Sequence, residues 1–313
     1  MPRTGPISRQ SRLRGRSFTD LGLSDALYPR LNLAYDANRI ATVPAGTTVP
    51  RILHQTYHTK DLPAPLRDAV ERTRAVSPLW EHRLYDDGDI IDYIRKEYGE
   101  TILAAFLRID SMYGAARADL FRYLLMYKTG GVYLDIKSVA TRALDDVIRP
   151  DDTYILSQWH GKRFAGMGMG VHRALRAIEG SEYQQWHIVA APGHPFLKRV
   201  IENVLRNLRI YNPGIHGAGK RGVLSVTGPI AYTLAIHPLL HLHSHRLADS
   251  AADLGFDYNV FMTGRNSSAH HFLFRSHYAA LQQPIVAVGP VNRAYGLPFR
   301  AGRKLLRMAR LVE

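Results

Sequence analysis

Apolar and polar residues change period several times along the chain, and each change marks an element. Val49-Pro-Arg-Ile-Leu-His54-Gln55-Thr56 is an apolar run that closes in polar residues, the pattern of a buried strand. Residues 66–76, after Pro63 and Pro65, carry apolar positions at helical spacing. Trp80-Glu-His-Arg-Leu-Tyr85 alternates as a second strand, Asp86-Asp87-Gly88 reads as a turn, and Asp89 is the predicted cap of a helix over 90–97. Two more helices are expected over 100–107 and 115–127, the second stopped by Gly130 and Gly131. Residues 132–136 then alternate, so Val132, Leu134 and Ile136 share one face and Tyr133, Asp135 and Lys137 the other. Further on, the pattern predicts a short helix at 144–147, strands at 153–157 and from His187, and a helix over 196–208. A last helix, over 230–239, is introduced by Thr227-Gly228-Pro229. Strands interleaved with helices predict an α/β sheet.

Charge sets the two ends apart from this body. The net charge is +14, yet residues 1–20 hold five arginines against one acid and residues 293–313 six basic residues against one acid. The expected organisation is a basic arm over 1–20, one domain over 21–292 and a basic amphipathic tail over 293–313. In that tail Leu297, Phe299, Leu305, Leu306, Met308 and Leu311 intersperse with the basic residues, which suits an anionic membrane surface. No module for reading nucleic acid is present and the tails do not interleave basic with aromatic residues, so no nucleic-acid partner is expected. The amino end lacks the apolar core of a signal peptide, and the apolar stretch 226–240 is interrupted by Gly228, Pro229, His237 and Pro238. The expectation is a cytoplasmic protein, peripheral at the inner face of the cell membrane. With no cysteine, disulfides and thiolate metal sites are excluded.

The densest chemistry lies in Arg117-Ala-Asp119-Leu-Phe-Arg122 and its continuation to Gly130-Gly131-Val-Tyr-Leu-Asp135-Ile-Lys137. Asp119 and Arg122 stand about one turn apart on a helix, and the following strand ends in a carboxylate. Any one such pair is commonly a solvated surface pair. Helix, glycine stop, aromatic and strand-end acid in one order point instead to a site. A strand-end carboxylate in that setting suits a hard cation or a cationic clamp.

This string resembles carbohydrate-active glycosyltransferase family 32, which includes the fungal initiating α-1,6-mannosyltransferases and many bacterial capsule and lipopolysaccharide enzymes. There the order is Asp-x-x-Arg, a helix, and Gly-Gly-x-Tyr-x-Asp-x-Asp. The resemblance extends to the His54-Gln55 strand, the His194-Pro195 segment and Thr227-Gly228-Pro229. It implies a GT-A-type, Rossmann-like mixed sheet flanked by helices, as a single domain with helical insertions. It also implies a UDP- or GDP-sugar donor, a saccharide or lipid-linked acceptor, a retaining transfer and a Mn²⁺ or Mg²⁺ cofactor. Asp119, Arg122 and Asp135 are the implied catalytic residues. His54, Gln55, Thr56, Lys137, Thr227 and Gly228 join Asp119 and Arg122 as donor contacts, and Asp135 with His277 as metal ligands.

Two departures stand out. Gln184, Gln185 and His187 occupy the neighbourhood of the family's usual Asn, and Lys137 replaces the second acid. The ammonium neutralises the diphosphate directly, or the metal is held by Asp135 and a later ligand, or the chain is a catalytically inactive carbohydrate- or nucleotide-binding homologue.

Overall fold

A computed structural model describes residues 28–33, 40–159, 168–261 and 279–308, with side chains up to 302 in the last segment. The arm over 1–20 and His277 lie outside the described residues. The strands are β1 (Ile52–Thr56), β2 (Glu81–Tyr85), β3 (Gly131–Leu134), β4 (Val139–Ala140), β5 (Tyr154–Leu156), β6 (His187–Ala190), β7 (Arg246–Leu247) and β8 (Phe256–Asp257). The helices are α1 (Ala64–Val76), α2 (Asp87–Leu107), α3 (Gly114–Thr129), α4 (Leu144–Val147), α5 (Pro195–Ile210), α6 (Pro213–His216), α7 (Gly219–Val226), α8 (Pro229–Ile236) and α9 (Pro290–Met308).

Six strands form one mixed sheet in the order β2-β1-β3-β6-β5-β7, while β4 and β8 make a separate ribbon. β1 is parallel to both β2 and β3, whereas β3 and β5 each run antiparallel to β6. The expected Rossmann-like mixed sheet flanked by helices is therefore present. The chain crosses β1 on its way from β2 to β3, so strand order reverses there, where open α/β sheets offer a crevice beyond their carboxyl ends. The antiparallel β6 brings its amino end to that same edge, with His187 opposite Leu134.

The alternation in β3 does what period two requires. Tyr133 enters a core shared with α3, α5 and α8, while Val132 and Leu134 enter the opposite core with Leu53, Ile155, Val189 and Phe256. The two glycines before it are needed for different reasons. Gly130 caps α3 at φ 69°, and a methyl group there would lie 2.7 Å from the Pro192 nitrogen; on Gly131, at φ 103°, it would lie 2.5 Å from the Ile52 carbonyl oxygen.

Three boundaries differ from expectation. β3 stops at Leu134, and residues 136–137 turn, with Ser138 N–H donating to the Asp135 carbonyl at 2.8 Å. The cap of α2 is Asp86, whose carboxylate accepts from the Gly88 and Asp89 amides. The Asp89 carboxylate in turn accepts from the Asp86 amide, so Asp-Asp-Gly opens a helix rather than a free turn. That helix joins the two predicted ones across a kink at Gly99, φ 76°. The continuous stretch Gly219–Leu242 is long and apolar enough to cross a membrane by length and composition. It is nevertheless divided among α7, α8 and a 3₁₀ turn (His237–Leu242), with Val226, Ala231, Tyr232 and Ile236 in the core. The basic tail is helical from Pro290 and held to α6 by the Asn212 amide, which donates to Asn292 Oδ1 at 2.7 Å.

Two sheet histidines are buried and neutral. Burial lowers the pKa of His54 in β1 to about 4, and that of His187 in β6 to about 3. A neutral His54 facing the Gly130 carbonyl at 3.0 Å must donate from Nε2, leaving Nδ1 to accept from the Tyr85 hydroxyl at 3.2 Å. The unfolded chain takes up these protons near pH 6.5 and the native chain only near pH 3–4, so stability is full above pH 6.5 and falls as pH drops below it. We predict a loss on the order of 3 kcal/mol per histidine by pH 4, read by urea unfolding. A flat profile between pH 6.5 and 4 contradicts this.

Candidate active site

α3 runs back along the sheet, so the residues of its first half stand beside the carboxyl end of β3. Asp119 and Arg122 are 3 % and 4 % exposed. The guanidinium of Arg122 is saturated by acceptors: Nη2 lies 3.3 Å from Asp119 Oδ1, and Nη1 lies 3.1 Å from Asp135 Oδ1 and donates to the Gln185 carbonyl at 2.7 Å. Its plane rests on the Tyr133 ring, 4.8 Å from the centroid. The sequence pairing of Asp119 with Arg122 is therefore real, and it is a buried pair rather than a solvated one.

Asp119 is held on its other sides too. Gln185 Nε2 donates to Oδ1 at 3.0 Å and the Thr227 hydroxyl donates to Oδ2 at 2.9 Å. Tyr123 closes the ring of bonds by donating to Gln185 Oε1 at 2.9 Å and to the Thr227 carbonyl at 3.0 Å. Burial pushes the Asp119 carboxyl up, with Arg122, Gln185 and Thr227 opposing. Burial also pulls Arg122 down, but Asp135, Tyr133 and Asp119 outweigh it and its pKa is raised. The direction for the pair is that of Arg122, because three acceptors around one guanidinium keep it charged.

Asp135 is where this network reaches the surface, its side chain 21 % exposed. Its amide donates to the Trp186 carbonyl at 2.8 Å, which fixes the strand end against the start of β6. Lys137, in the turn, is partly exposed and does not pair with Asp135 as one strand face would have it. The β4–β8 ribbon brings Tyr258 across: Lys137 Nζ donates to the Tyr258 hydroxyl at 3.2 Å and lies 4.5 Å above its ring. Burial lowers the Lys137 pKa, yet Tyr258 and Asp135 raise it further, so the ammonium is kept. Tyr258 also packs edge-on to Trp159 and close to Trp186, at 5.0 and 5.3 Å between centroids. Beyond Trp159 opens a cleft of about 430 Å³, lined also by Met169, His172, Arg173 and Arg176.

The structure thus brings together Asp119, Arg122, Asp135, Lys137 and Thr227, with Gly228 buried behind Thr227 at the start of α8. His54 and Gln55 are placed inside the sheet, both 0 % exposed, where Gln55 Oε1 accepts from His82 Nε2 at 2.9 Å. Thr56, at the end of β1, meets the Tyr133 hydroxyl at 2.9 Å. Gln185 is the residue that sequence reasoning left among three neighbours, and only its two-sided contact with Asp119 and Tyr123 singles it out.

Among the described residues the donor set does not suit a resident hard cation; the other implied ligand, His277, lies outside them. Asp135 already faces a guanidinium, an ammonium follows two residues later, and no group of three His, Asp or Glu side chains able to hold a metal occurs among the described residues.

Residues 63–155 match the family described as "Glycosyltransferase sugar-binding region containing DXD motif". The chain is similar to "Inositol phosphoceramide mannosyltransferase 3" of Schizosaccharomyces pombe, 28 % identical over 51 % of this chain and 38 % of the relative. It is also similar to the same organism's "Initiation-specific alpha-1,6-mannosyltransferase", 24 % identical over 64 % of this chain and 50 % of the relative. The chain spans half or less of the length of these relatives. A solved structure, "PaToxG Glycosyltransferase", aligns over 82 % of this chain and 88 % of its own at 14 % identity, with a TM-score of 0.45, a likeness too loose to carry function across.

Removing one partner of a buried pair leaves the other uncompensated. Asp119→Ala is expected to destabilise the protein by about 3–5 kcal/mol, whereas Asp135→Asn, which keeps an acceptor oxygen towards Arg122 and sits at the partly exposed end, costs less. Urea unfolding of both variants checks this, and equal losses contradict the assigned geometry.

Proposed function

We propose that this protein is a glycosyltransferase that moves a hexose from a UDP- or GDP-sugar to a saccharide or glycolipid acceptor in surface-polysaccharide or glycolipid synthesis. The observation that carries the reading is the surface carboxylate of Asp135, backed by the buried Asp119–Arg122 pair, at the carboxyl edge of the sheet. It falls within the segment that matches the DXD family. Mannose is the first sugar to test, because the similar fungal proteins are named for its transfer, one of them to inositol phosphoceramide.

In this reading the network is preorganised, so little rearrangement accompanies the reaction. The Asp135 carboxylate accepts from hydroxyls of the donor sugar and fixes its orientation. Trp159 and the cleft beyond it offer an aromatic wall and basic rim for the acceptor. Retention of anomeric configuration is part of the proposal through the family resemblance. The second reading, a binding protein without catalysis, is favoured by one observation, the ammonium of Lys137 where the family has an acid.

A place at the cytoplasmic face of an anionic membrane belongs to the same proposal. α9 exposes Val291 (85 %) and Leu297 (60 %), and its sequence carries Arg293, Arg300, Arg303, Lys304 and Arg307. Such a helix rests its apolar side in the interface and its basic side on lipid phosphates.

A screen of UDP- and GDP-sugars for released nucleoside diphosphate, run with anionic or neutral vesicles, tests both parts. The expected outcome is release from one donor class, a fall of at least ~10²-fold in Asp135→Asn, and pelleting with anionic vesicles only. Binding of nucleotide with no release from any donor selects the second reading. Equal pelleting with neutral vesicles removes the membrane surface.

A further inference from the structure

We propose that Lys137 holds the donor's diphosphate in the role that a divalent cation would otherwise fill, so that this chain binds nucleoside diphosphates without a metal. The inference rests on the glycosyltransferase reading and goes beyond it.

Charge at the edge of the sheet carries the first part of the argument. Asp119 and Asp135 are balanced by Arg122 and Lys137, so the four groups sum to zero. An acid in place of Lys137 would leave the same cluster at minus two, the deficit that one divalent ion makes good. One ammonium at this position therefore gives the site the charge that an acid and a dication would give it together. An anionic diphosphate meets no net repulsion there, and a dication meets no net attraction.

Geometry carries the second part. A lysine on a free surface is a mobile charge, but Lys137 is held. The turn over 136–137 lifts it to the edge that also carries Asp135, and the Ser138 hydroxyl donates to the Tyr258 carbonyl at 2.6 Å, while the Val260 amide donates to the Lys137 carbonyl at 3.1 Å. The Tyr258 ring and hydroxyl then fix Nζ from one side. An ammonium has three N–H donors, so the Tyr258 contact leaves donors for phosphate oxygens, and charge-assisted bonds of this type are the strong ones.

The donor set carries the third. Asp135 Oδ1 lies 3.1 Å from Arg122, which competes with any cation for that carboxylate. Lys137 adds a second cation to the same edge, two residues along from Asp135.

The test is calorimetric titration of the purified full chain with uridine and guanosine diphosphates, in excess chelator and again with Mn²⁺ or Mg²⁺. The wild-type dissociation constant for the preferred nucleotide should agree within about threefold between the two conditions. Lys137→Ala and Lys137→Gln should each weaken binding by about tenfold or more in both, the loss expected for one charged hydrogen bond. Lys137→Asp should bind poorly in chelator and recover with Mn²⁺. Wild-type binding that appears only with metal, or a Lys137→Ala affinity equal to wild type, overturns the inference and leaves the glycosyltransferase reading standing. No binding of either nucleotide under any condition overturns both. The wild-type comparison alone decides the matter if a variant fails to fold.

Discussion

A guanidinium buried among acceptors is the constraint on which the candidate site depends. Arg122 is nearly without solvent, and a charge so placed persists only where its hydrogen-bond donors are met. Asp119, Asp135 and the Gln185 carbonyl meet them, and each comes from a different part of the chain: α3, the end of β3 and the approach to β6. Satisfying one side chain thus fixes the relative positions of three elements. Thr227 extends the same requirement to the junction of α7 and α8, since its hydroxyl completes the shell of Asp119. The one carboxylate that reaches solvent, Asp135, is held by everything behind it.

The topology explains why these parts meet. Reversal of strand order at β1, together with the antiparallel β6, collects the ends of β1 and β3, the start of β6 and the residues after β5 at one edge. The β4–β8 ribbon then delivers Tyr258 to Lys137 from more than a hundred residues away in sequence. A rigid sheet edge with aromatic, acidic and basic groups on short connections can hold a polar ligand with little ordering cost.

What the sequence made legible was local. The helix, the glycine stop and the alternation of β3 follow from spacing alone, and Gly130 and Gly131 stand where only glycine fits. The strand ends two residues before the alternation does, because Ile136 continues the period. It is in fact buried against α1, with Leu66 and Val70, after the chain has turned. The cap of α2 fell to Asp86 rather than Asp89 because a capping box uses both acids, and spacing does not say which of them stands outside the helix. His54 and Gln55 looked like ligand residues from their place at a strand end. The structure shows them joined to neighbouring elements, Gly130 and His82, as parts of the sheet. Gln185 and Tyr258 carry no local signal, since their roles exist only through contacts across long separations.

The central claim, that the edge around Arg122 is where a sugar nucleotide sits, is tested most directly by a crystal structure of the chain with its nucleoside diphosphate bound. The predicted result is a diphosphate oxygen within about 3 Å of Lys137 Nζ, the nucleotide lying in the crevice bounded by Thr56, Asp135 and Trp159. A nucleotide bound away from that edge, or bound there with Lys137 turned away and Arg122 released from Asp135, would contradict it.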